Sequence, residues 1–179
     1  MNDSTDEYLL EQLKKGNTKS LGVLYERYKT LLFNYFLRCT RDYDTSNDLL
    51  METFERIYKY YHSYKPLKKV RPWIFQIASN LLKDTYKKSN QFDSIDGSGL
   101  ELKIVNPEES ADSNYRNKQL QEALARLKPS QRNIVNMYYL LEMSYEDIAS
   151  NENISINNAR IKVCRALKKL KELLKDSEL

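Results

Sequence analysis

A group of residues between Ser155 and Lys168 combines short polar side chains with cations at helical spacing. Short polar groups at the start of a helix, followed by arginines about one turn further on, suit the base edges and phosphates of a DNA major groove. The group predicted to face outward, hereafter the outward set, is Ser155, Asn157, Asn158, Arg160, Ile161, Cys164, Arg165 and Lys168. This pattern predicts that the second of two short helices binds DNA.

Capping residues define the two helices that must position the outward set. Ser144, followed three residues later by Asp147, is a capping pattern that opens the first helix. Asn153 stands in the turn, where positive φ is required and where asparagine tolerates it best among non-glycine residues. Ser155 can then cap the second helix. The segment from Tyr145 to Cys164 is therefore predicted to be a helix-turn-helix.

The inner side of this segment also fits a close helix crossing. Ala149 is small enough for two helices to approach each other at a short turn. The inward positions of the second helix recur at helical spacing and are Ala159, Val163, Ala166, Leu167 and Leu170. A plain helical hairpin with a solvated basic face is the alternative, and the combination of turn, caps and cations favours DNA binding over it.

The composition indicates a helical protein large enough for one sizeable domain or two small ones. The chain has 179 residues, with only 4 glycines and 4 prolines. Its formal net charge of +4 is compatible with nucleic acid and is weak support by itself. No apolar run approaches the roughly 20 residues of a membrane span, and the acidic start does not read as a signal peptide. We therefore expect an all-α protein with no membrane insertion.

Cysteine and histidine usage argues against catalysis and metal binding. Cys39 and Cys164 are isolated, and His62 is the only histidine, so zinc sites and histidine-based triads are excluded. Unpaired cysteines of this kind suggest reduced thiols in a cytoplasmic protein. The sequence predicts no catalytic residue, no metal and no cofactor.

A helix predicted from about Thr45 to Tyr61 carries acidic side chains on its outer side. Thr45 with Asp48 three residues on reads as a capping box. The outer residues, hereafter the acidic set, are Asp48, Glu52 and Glu55, with Leu49 and Met51 at the margins. Acids early in a helix also stabilise it through the helix dipole, which is the simpler interpretation of Asp48 and Glu52.

The sequence becomes rich in basic and aromatic residues between Lys59 and Lys88, where Asp84 is the only acidic residue. Cations with interleaved amides and aromatic rings are typical of surfaces for unstacked bases and a phosphate backbone. The candidates, hereafter the basic set, are Lys65, Lys68, Lys69, Arg71, Trp73, Gln76, Asn80, Lys83, Lys87 and Lys88. Phe75 is interpreted first as a core residue, and Trp73 is open to either interpretation.

The helical spacing of apolar residues is lost over residues 89–114, where acidic residues outnumber basic ones and two glycines occur. This stretch is predicted to be a flexible acidic linker between a domain at 1–88 and a domain at 115–179. In the second domain we expect Ile134, Val135, Tyr138 and Tyr139 to face inward ahead of the helix-turn-helix.

In order and spacing these segments resemble the extracytoplasmic-function group of bacterial RNA polymerase sigma factors. DLLMETFERIYKYY is similar to the family's core-polymerase-binding segment, and RPWIFQIASNLLKDTYKK to its promoter-melting and −10-reading helix. LKPSQRNIVNMYYLLEMSYEDIASNENISINNARIKVCRAL is similar to its −35-reading domain. Met51 stands where glutamine is usual, Met143 and Asn153 where glycine is common, and Ile161 where a small polar residue is usual.

The resemblance implies a two-domain helical initiation factor with no chemistry of its own. The acidic set from Asp48 to Tyr61 would dock on the clamp coiled coil of the largest polymerase subunit, and the flap region would be a further polymerase contact. The basic set would capture non-template −10 bases, and the outward set would read the −35 major groove, with Ser130 or Arg132 at phosphates. The linker would thread the polymerase interior, and an anti-sigma factor is expected as a regulator.

Two alternatives stay open from the residues alone. A polymerase-independent helix-turn-helix regulator would use residues 1–88 for dimerisation or sensing, and specific binding to duplex DNA without polymerase would favour it. An interaction protein that binds polymerase or an anti-sigma factor without reading DNA is the other, against which the cations of both basic surfaces argue. An enzyme is less favoured than either of these alternatives.

Overall fold

The structure is a computed structural model that describes residues 4–65, 69–91 and 111–175, with side chains over 4–65, 69–88 and 118–175. The chain divides into two compact units, Met1–Asp96 and Gly97–Leu179. All regular secondary structure within the described ranges is helical, which confirms the predicted all-α class. The division falls inside the predicted linker, of which residues 92–110 lie outside the described ranges.

The described residues of the first unit form four α-helices. They are α1 (Asp6–Lys14), α2 (Lys19–Thr40), α3 (Tyr43–Tyr60) and α4 (Val70–Gln91), and a 3-10 turn at Tyr61–Ser63 follows α3. α2 packs against α1 and α3, and α4 packs against α3. The large, fully buried side chains of this unit include Tyr35, Phe36, Phe75, Leu10, Leu24 and Leu82. Each such apolar side chain contributes about 1.5–3 kcal/mol by burial.

α3 begins earlier than its sequence pattern predicts. Its N-cap is Asp42, in extended conformation, and the Asp42 Oδ1 accepts a hydrogen bond from the Thr45 backbone N at 2.7 Å. The predicted capping box at Thr45 is therefore wrong. Both residues can cap a helix, but Arg41 ends α2 in the left-handed region at φ 60° and leaves Asp42 in the extended conformation of an N-cap.

The second unit contains α5 (Ala111–Arg126), α6 (Pro129–Tyr139), α7 (Tyr145–Glu152) and α8 (Ile156–Lys175). α8 is central, since it packs against α5, α6 and α7. Ile134 and Val135 are buried as predicted. Tyr139 is 64% exposed, so its predicted inward position is wrong, because it lies at the last residue of α6 beyond the packed part of that helix.

Arg132 holds the junction between α5 and α6. Its Nε donates to the Leu124 carbonyl at 2.8 Å, and its Nη2 donates to the Ala125 and Leu127 carbonyls at 2.6 and 3.2 Å. These carbonyls belong to the C-terminal end of α5, where cations and donors are stabilising. Arg132 is only 9% exposed, so the expectation that it meets DNA phosphates is wrong. Ser130 is exposed.

Candidate nucleic-acid interface

The helix-turn-helix has the caps that its sequence predicts. The Ser144 Oγ accepts from the Asp147 backbone N at 3.1 Å and opens α7. Asn153 ends α7 in the left-handed region at φ 54° and ψ 48°. The Ser155 Oγ accepts from the Asn158 backbone N at 3.2 Å at the start of α8. The turn between the helices is therefore fixed by hydrogen bonds and by one asparagine in a conformation that most residues disfavour.

Small side chains let α7 and α8 cross closely. Ala149 of α7 and Ala159 of α8 are 4% and 0% exposed, and Ile148 packs beside them. Val163, Ala166 and Leu170 are buried along the same side of α8, whereas Leu167 is partly exposed. The inner side of α8 therefore forms part of the core of this unit.

The opposite side of α8 is open to solvent over its whole length. All members of the outward set are exposed: Ser155, Asn157, Asn158, Arg160, Ile161, Cys164, Arg165 and Lys168. Ile161 retains 40% of its surface and Cys164 is a free, exposed thiol. Seven members of the outward set therefore lie on the exposed side of α8, and Ser155 caps the start of this helix.

A tyrosine pair supports one of these cations. The Arg160 Cζ lies 5.5 Å from the centroid of the Tyr145 ring, which stacks on Tyr138 at 5.3 Å and 21°. The Tyr145 hydroxyl also donates to the Tyr138 hydroxyl at 3.4 Å, and this bond raises the pKa of Tyr145. Periodicity within one helix could not reveal this support, because the three residues belong to α6, α7 and α8.

In the first unit, most of the basic set lies on the accessible side of α4 and just before it. Lys65, Lys69, Asn80, Lys87 and Lys88 are exposed, and Arg71, Trp73, Gln76 and Lys83 are half-buried. Lys68 lies outside the described residues. Phe75 is 1% exposed and is a core residue, as predicted.

α1 contacts the segment that precedes α4, a feature that sequence reasoning missed. The Lys14 Nζ donates to the Tyr64 carbonyl at 2.9 Å, and the Val70 backbone N donates to the Glu7 Oε1 at 3.1 Å. The Tyr64 ring packs against Trp73, with 5.4 Å between ring centroids. These contacts join residues 50 and 63 positions apart, which no local pattern signals.

On α3, the acidic set is exposed with one exception. Asp48, Met51, Glu52 and Glu55 are accessible, and Met51 is 53% exposed. Leu49 is only 4% exposed, so its predicted role as an apolar contact for a partner is wrong. Leu49 is buried because α3 packs against α2 and α4 together, which widens its buried arc.

Glu52 is already paired within the first unit. The Arg56 Nη2 lies 2.8 Å from the Glu52 Oε1, and the Arg56 Nη1 lies 3.9 Å from the Asp84 Oδ2 of α4. This cation offsets part of the negative charge at Glu52. Asp48 and Glu55 are therefore the stronger acidic positions on this face.

Among the described residues, no cluster of three or more His, Cys, Asp or Glu side chains could hold a metal ion. Cys39 is buried and is not disulfide-bonded. None of the helices in the described ranges is long and apolar enough to cross a membrane.

Two family models match the chain in the order in which its units occur. The model "Sigma-70 region 2" matches residues 24–92, and the model "Sigma-70, region 4" matches residues 117–170. The first match includes α3 and α4, and the second includes the helix-turn-helix.

Two curated relatives match over almost their whole length. The ECF RNA polymerase sigma factor SigM of Bacillus subtilis (strain 168) is 30% identical over 158 residues, which cover 86% of this chain and 94% of that protein. The RNA polymerase sigma factor CarQ of Myxococcus xanthus is 27% identical over 173 residues, covering 95% and 98%.

Solved structures show the same fold at lower identity. CnrH, solved in complex with the cytosolic domain of CnrY, superposes with a TM-score of 0.73 at 20% identity over 97% of this chain and 99% of that one. The sigma factor RpoE of Bartonella quintana, solved with the anti-sigma factor NepR, gives a TM-score of 0.64 at 19% identity over 85% and 96%.

The fold and the family models define a sigma-70 type subunit of bacterial transcription. The chain belongs to the extracytoplasmic-function (ECF) family of RNA polymerase sigma factors. It directs RNA polymerase to promoters, and proteins of this family are initiation factors rather than enzymes.

Proposed function

We propose a division of labour between the two units of this sigma factor. The unit Met1–Asp96 binds core polymerase and captures melted −10 bases, and the unit Gly97–Leu179 reads the −35 element as duplex DNA. The observation that carries this proposal is the complete exposure of the outward set on a helix whose opposite side is core. The matching of region 2 and region 4 models to the respective units supports the same division.

For the −35 element, α8 would lie in the major groove with the start of the helix toward the base edges. Arg160 and Arg165 are the cations suited to bidentate contacts with guanine, and each such contact contributes about 1–3 kcal/mol of discrimination. Lys168 is placed further along the helix, where a phosphate contact is expected. Ile161 offers an apolar surface suited to a thymine methyl group.

For the −10 element, the basic set would bind non-template bases after they leave the stack. Stacking contributes about 1–3 kcal/mol per base, which is comparable with the few kcal/mol needed to unstack and unpair a base. Capture can therefore drive melting without any catalytic step. The exposed cations Lys65, Lys69, Lys87 and Lys88 would neutralise the single-strand backbone.

For core polymerase, the exposed members of the acidic set would dock on the clamp coiled coil of the largest subunit. Asp48 and Glu55 supply charge, and Met51 supplies apolar area at 53% exposure. Glu52 contributes less because Arg56 pairs with it. Leu49 has no part in this surface because it is buried.

Regulation by an anti-sigma factor, and action in the cytoplasm where polymerase works, belong to the same proposal. The solved structures of similar fold include CnrH in complex with the cytosolic domain of CnrY and RpoE in complex with the anti-sigma factor NepR. A regulator that covers the acidic set or the outward set would block polymerase or promoter.

The proposed function is tested by reconstituted transcription with bacterial core polymerase on a genomic library, with start sites mapped. The expected result is a set of starts that share −10 and −35 sequences and require this protein. Sequence-specific binding of the purified protein to duplex DNA, with no effect on core polymerase, would instead establish an independent helix-turn-helix regulator.

A double variant tests the docking surface. Asp48→Lys with Glu55→Lys reverses two charges of the acidic set and should abolish co-purification with core polymerase while the helical circular dichroism is retained. Glu26→Lys with Glu11→Lys, exposed acids on α2 and α1, is the matched control and should co-purify normally. Normal co-purification of the Asp48 and Glu55 variant would refute the docking assignment.

A further inference from the structure

Two side chains of α1 hold the two ends of the segment that leads into α4. Lys14 donates from Nζ to the Tyr64 carbonyl at 2.9 Å, just after the 3-10 turn. Glu7 accepts at Oε1 from the backbone N of Val70, the first residue of α4, at 3.1 Å. Lys65 directly follows Tyr64 and Lys69 directly precedes Val70, and both belong to the basic set, whereas residues 66–68 lie outside the described ranges.

Tyr64 connects the Lys14 contact to the proposed −10 surface. Its ring is 6% exposed, lies 5.4 Å from the Lys14 Nζ, and packs at 5.4 Å against the half-buried ring of Trp73. Burial first, and then the charges of Glu7 and Glu11, raise the pKa of Tyr64. Because the two rings are in contact, a displacement of the Tyr64 ring would also move the Trp73 ring.

The Glu7 contact supplies what α4 lacks in its own sequence. The first turn of α4 contains no acidic residue, although a negative charge there stabilises the positive end of the helix dipole. The Val70 N–H is one of the donors that a helix start leaves without an intrahelical partner. Glu7 satisfies this donor from a separate helix and fixes where α4 begins.

α1, which carries both Lys14 and Glu7, is held in place by its own packing and hydrogen bonds. Leu9, Leu10 and Leu13 are at most 3% exposed, so the helix is anchored in the core of the first unit. At its N-terminal end, Asp6 binds the Arg27 guanidinium and the Tyr28 hydroxyl of α2. Lys14 and Glu7 therefore project from a helix fixed at both ends.

We propose that Lys14 and Glu7 are positioning residues for the capture of single-stranded −10 bases. They hold Tyr64 and the start of α4 in place before DNA arrives, so that less ordering is needed when Trp73 and the neighbouring lysines meet the bases. This inference rests on the proposed −10 role of the first unit. In this role Lys14 contacts the protein backbone and no phosphate.

The test uses full-length protein assembled with core polymerase and a single-stranded oligonucleotide that carries the non-template −10 segment of a promoter mapped with the wild-type enzyme. Its affinity is measured over a range of salt concentrations for wild type, Lys14→Met, Lys14→Arg and Lys15→Met. Lys15 is exposed and adjacent to Lys14, so Lys15→Met makes the same change of charge without touching Tyr64. Lys65→Gln with Lys69→Gln tests the −10 surface itself.

The expected result is an oligonucleotide affinity about tenfold weaker for Lys14→Met, as for loss of a charge-assisted hydrogen bond. Its log–log salt slope should equal that of wild type, because no phosphate contact is lost, and Lys14→Arg should restore affinity. Lys15→Met should bind as wild type does, and assembly with core polymerase and binding of −35 duplex should be unchanged. Glu7→Ala should show a smaller loss in the same direction, since Glu7 is exposed. Glu7→Gln keeps the acceptor oxygen but not the negative charge, so it should recover part of that loss.

Three results would overturn the inference. One is a Lys14→Met affinity equal to that of Lys15→Met. Another is a salt slope lower by about 0.7 for Lys14→Met, which would mean that Lys14 binds a phosphate directly. The third is a parallel loss of core assembly and −35 binding, which would indicate general destabilisation. Failure of the proposed −10 function is distinguishable, since the Lys65 and Lys69 double variant would then leave oligonucleotide affinity and salt slope unchanged.

Discussion

Arg160 of α8 lies over the ring of Tyr145 of α7, with 5.5 Å between the Arg160 Cζ and the ring centroid. Tyr145 in turn stacks on Tyr138 of α6 at 5.3 Å. The Arg160 guanidinium therefore packs on the Tyr145 ring, and Tyr138 holds that ring in place. The Arg160 side chain is otherwise exposed. A restrained arginine loses less rotamer freedom when it binds than a free one does.

Removal of the Tyr145 ring should weaken −35 binding without loss of any group that touches DNA in the proposed complex. Tyr145→Leu removes a cation–π contact of about 0.5–1 kcal/mol, which corresponds to roughly two- to fivefold weaker binding. Tyr145→Phe keeps the ring and should bind like wild type. Fluorescence anisotropy with −35 duplex measures both, and equal affinities for Leu and Phe variants of matched thermal stability would contradict the role given to the ring.

Arg165 offers a sharper test of the outward set. Arg165→Ala should weaken promoter binding by about 1–3 kcal/mol and relax the preference at one −35 base pair. Lys162→Ala removes one positive charge from an exposed position of the same helix that is outside the outward set. If both variants lose affinity equally and keep the base preference, net charge rather than groove contact explains the binding.

Asp42 should make the stability of the first unit dependent on acid pH. Hydrogen bonds from the side chain and backbone of Thr45 hold the pKa of Asp42 below its ordinary value. Because the folded-state pKa is the lower one, this stabilisation is present above the unfolded-state pKa of about 3.9 and is lost as pH falls through the folded value.

Loss of this cap by Asp42→Ala should cost about 0.5–2 kcal/mol of unfolding free energy at neutral pH. The difference from wild type should shrink below about pH 4, because the carboxylate is protonated first in the unfolded state and, at lower pH, in the folded state. Urea unfolding of both proteins at neutral and acid pH measures this. A difference that stays constant with pH would show that the carboxylate charge is irrelevant to the cap.

Asn153 should be replaceable by glycine and intolerant of alanine. At φ 54° and ψ 48°, a β-carbon without a compensating polar group costs roughly 1–2 kcal/mol, so Asn153→Ala should lower the thermal stability of the second unit. Asn153→Gly should match or exceed wild type. Equal melting temperatures for the Ala and Gly variants would mean that the turn relaxes out of the left-handed region.

Features set by neighbouring residues could be predicted from the sequence. Ser144, Asn153 and Ser155 each do in the structure what their position indicates, because caps and tight turns depend on a few consecutive residues. The outward set follows from the helical period and from one continuous inner face. This is why the helix-turn-helix could be located almost residue by residue.

Features set by packing between distant helices could not be predicted in this way. Leu49 lies at the edge of a helical stripe, and only contact of α3 with two other helices buries it. Arg132 has the charge of a phosphate contact, but the end of α5 lies close enough to accept its hydrogen bonds. Lys14 and Glu7 act on residues 50 and 63 positions away.

The two sides of α8 are constrained differently: the inner side by packing in the core, and the outer side by the proposed binding to DNA. Its inner side is fixed by Ala159, Val163 and Ala166, which are at most 1% exposed, whereas changes at exposed positions alter stability by only about 0.5 kcal/mol or less. After a gene duplication, a copy of this protein could therefore drift to a new set of target genes through single changes along one side of one helix. The descendants would diverge in regulon while their shared architecture stayed intact.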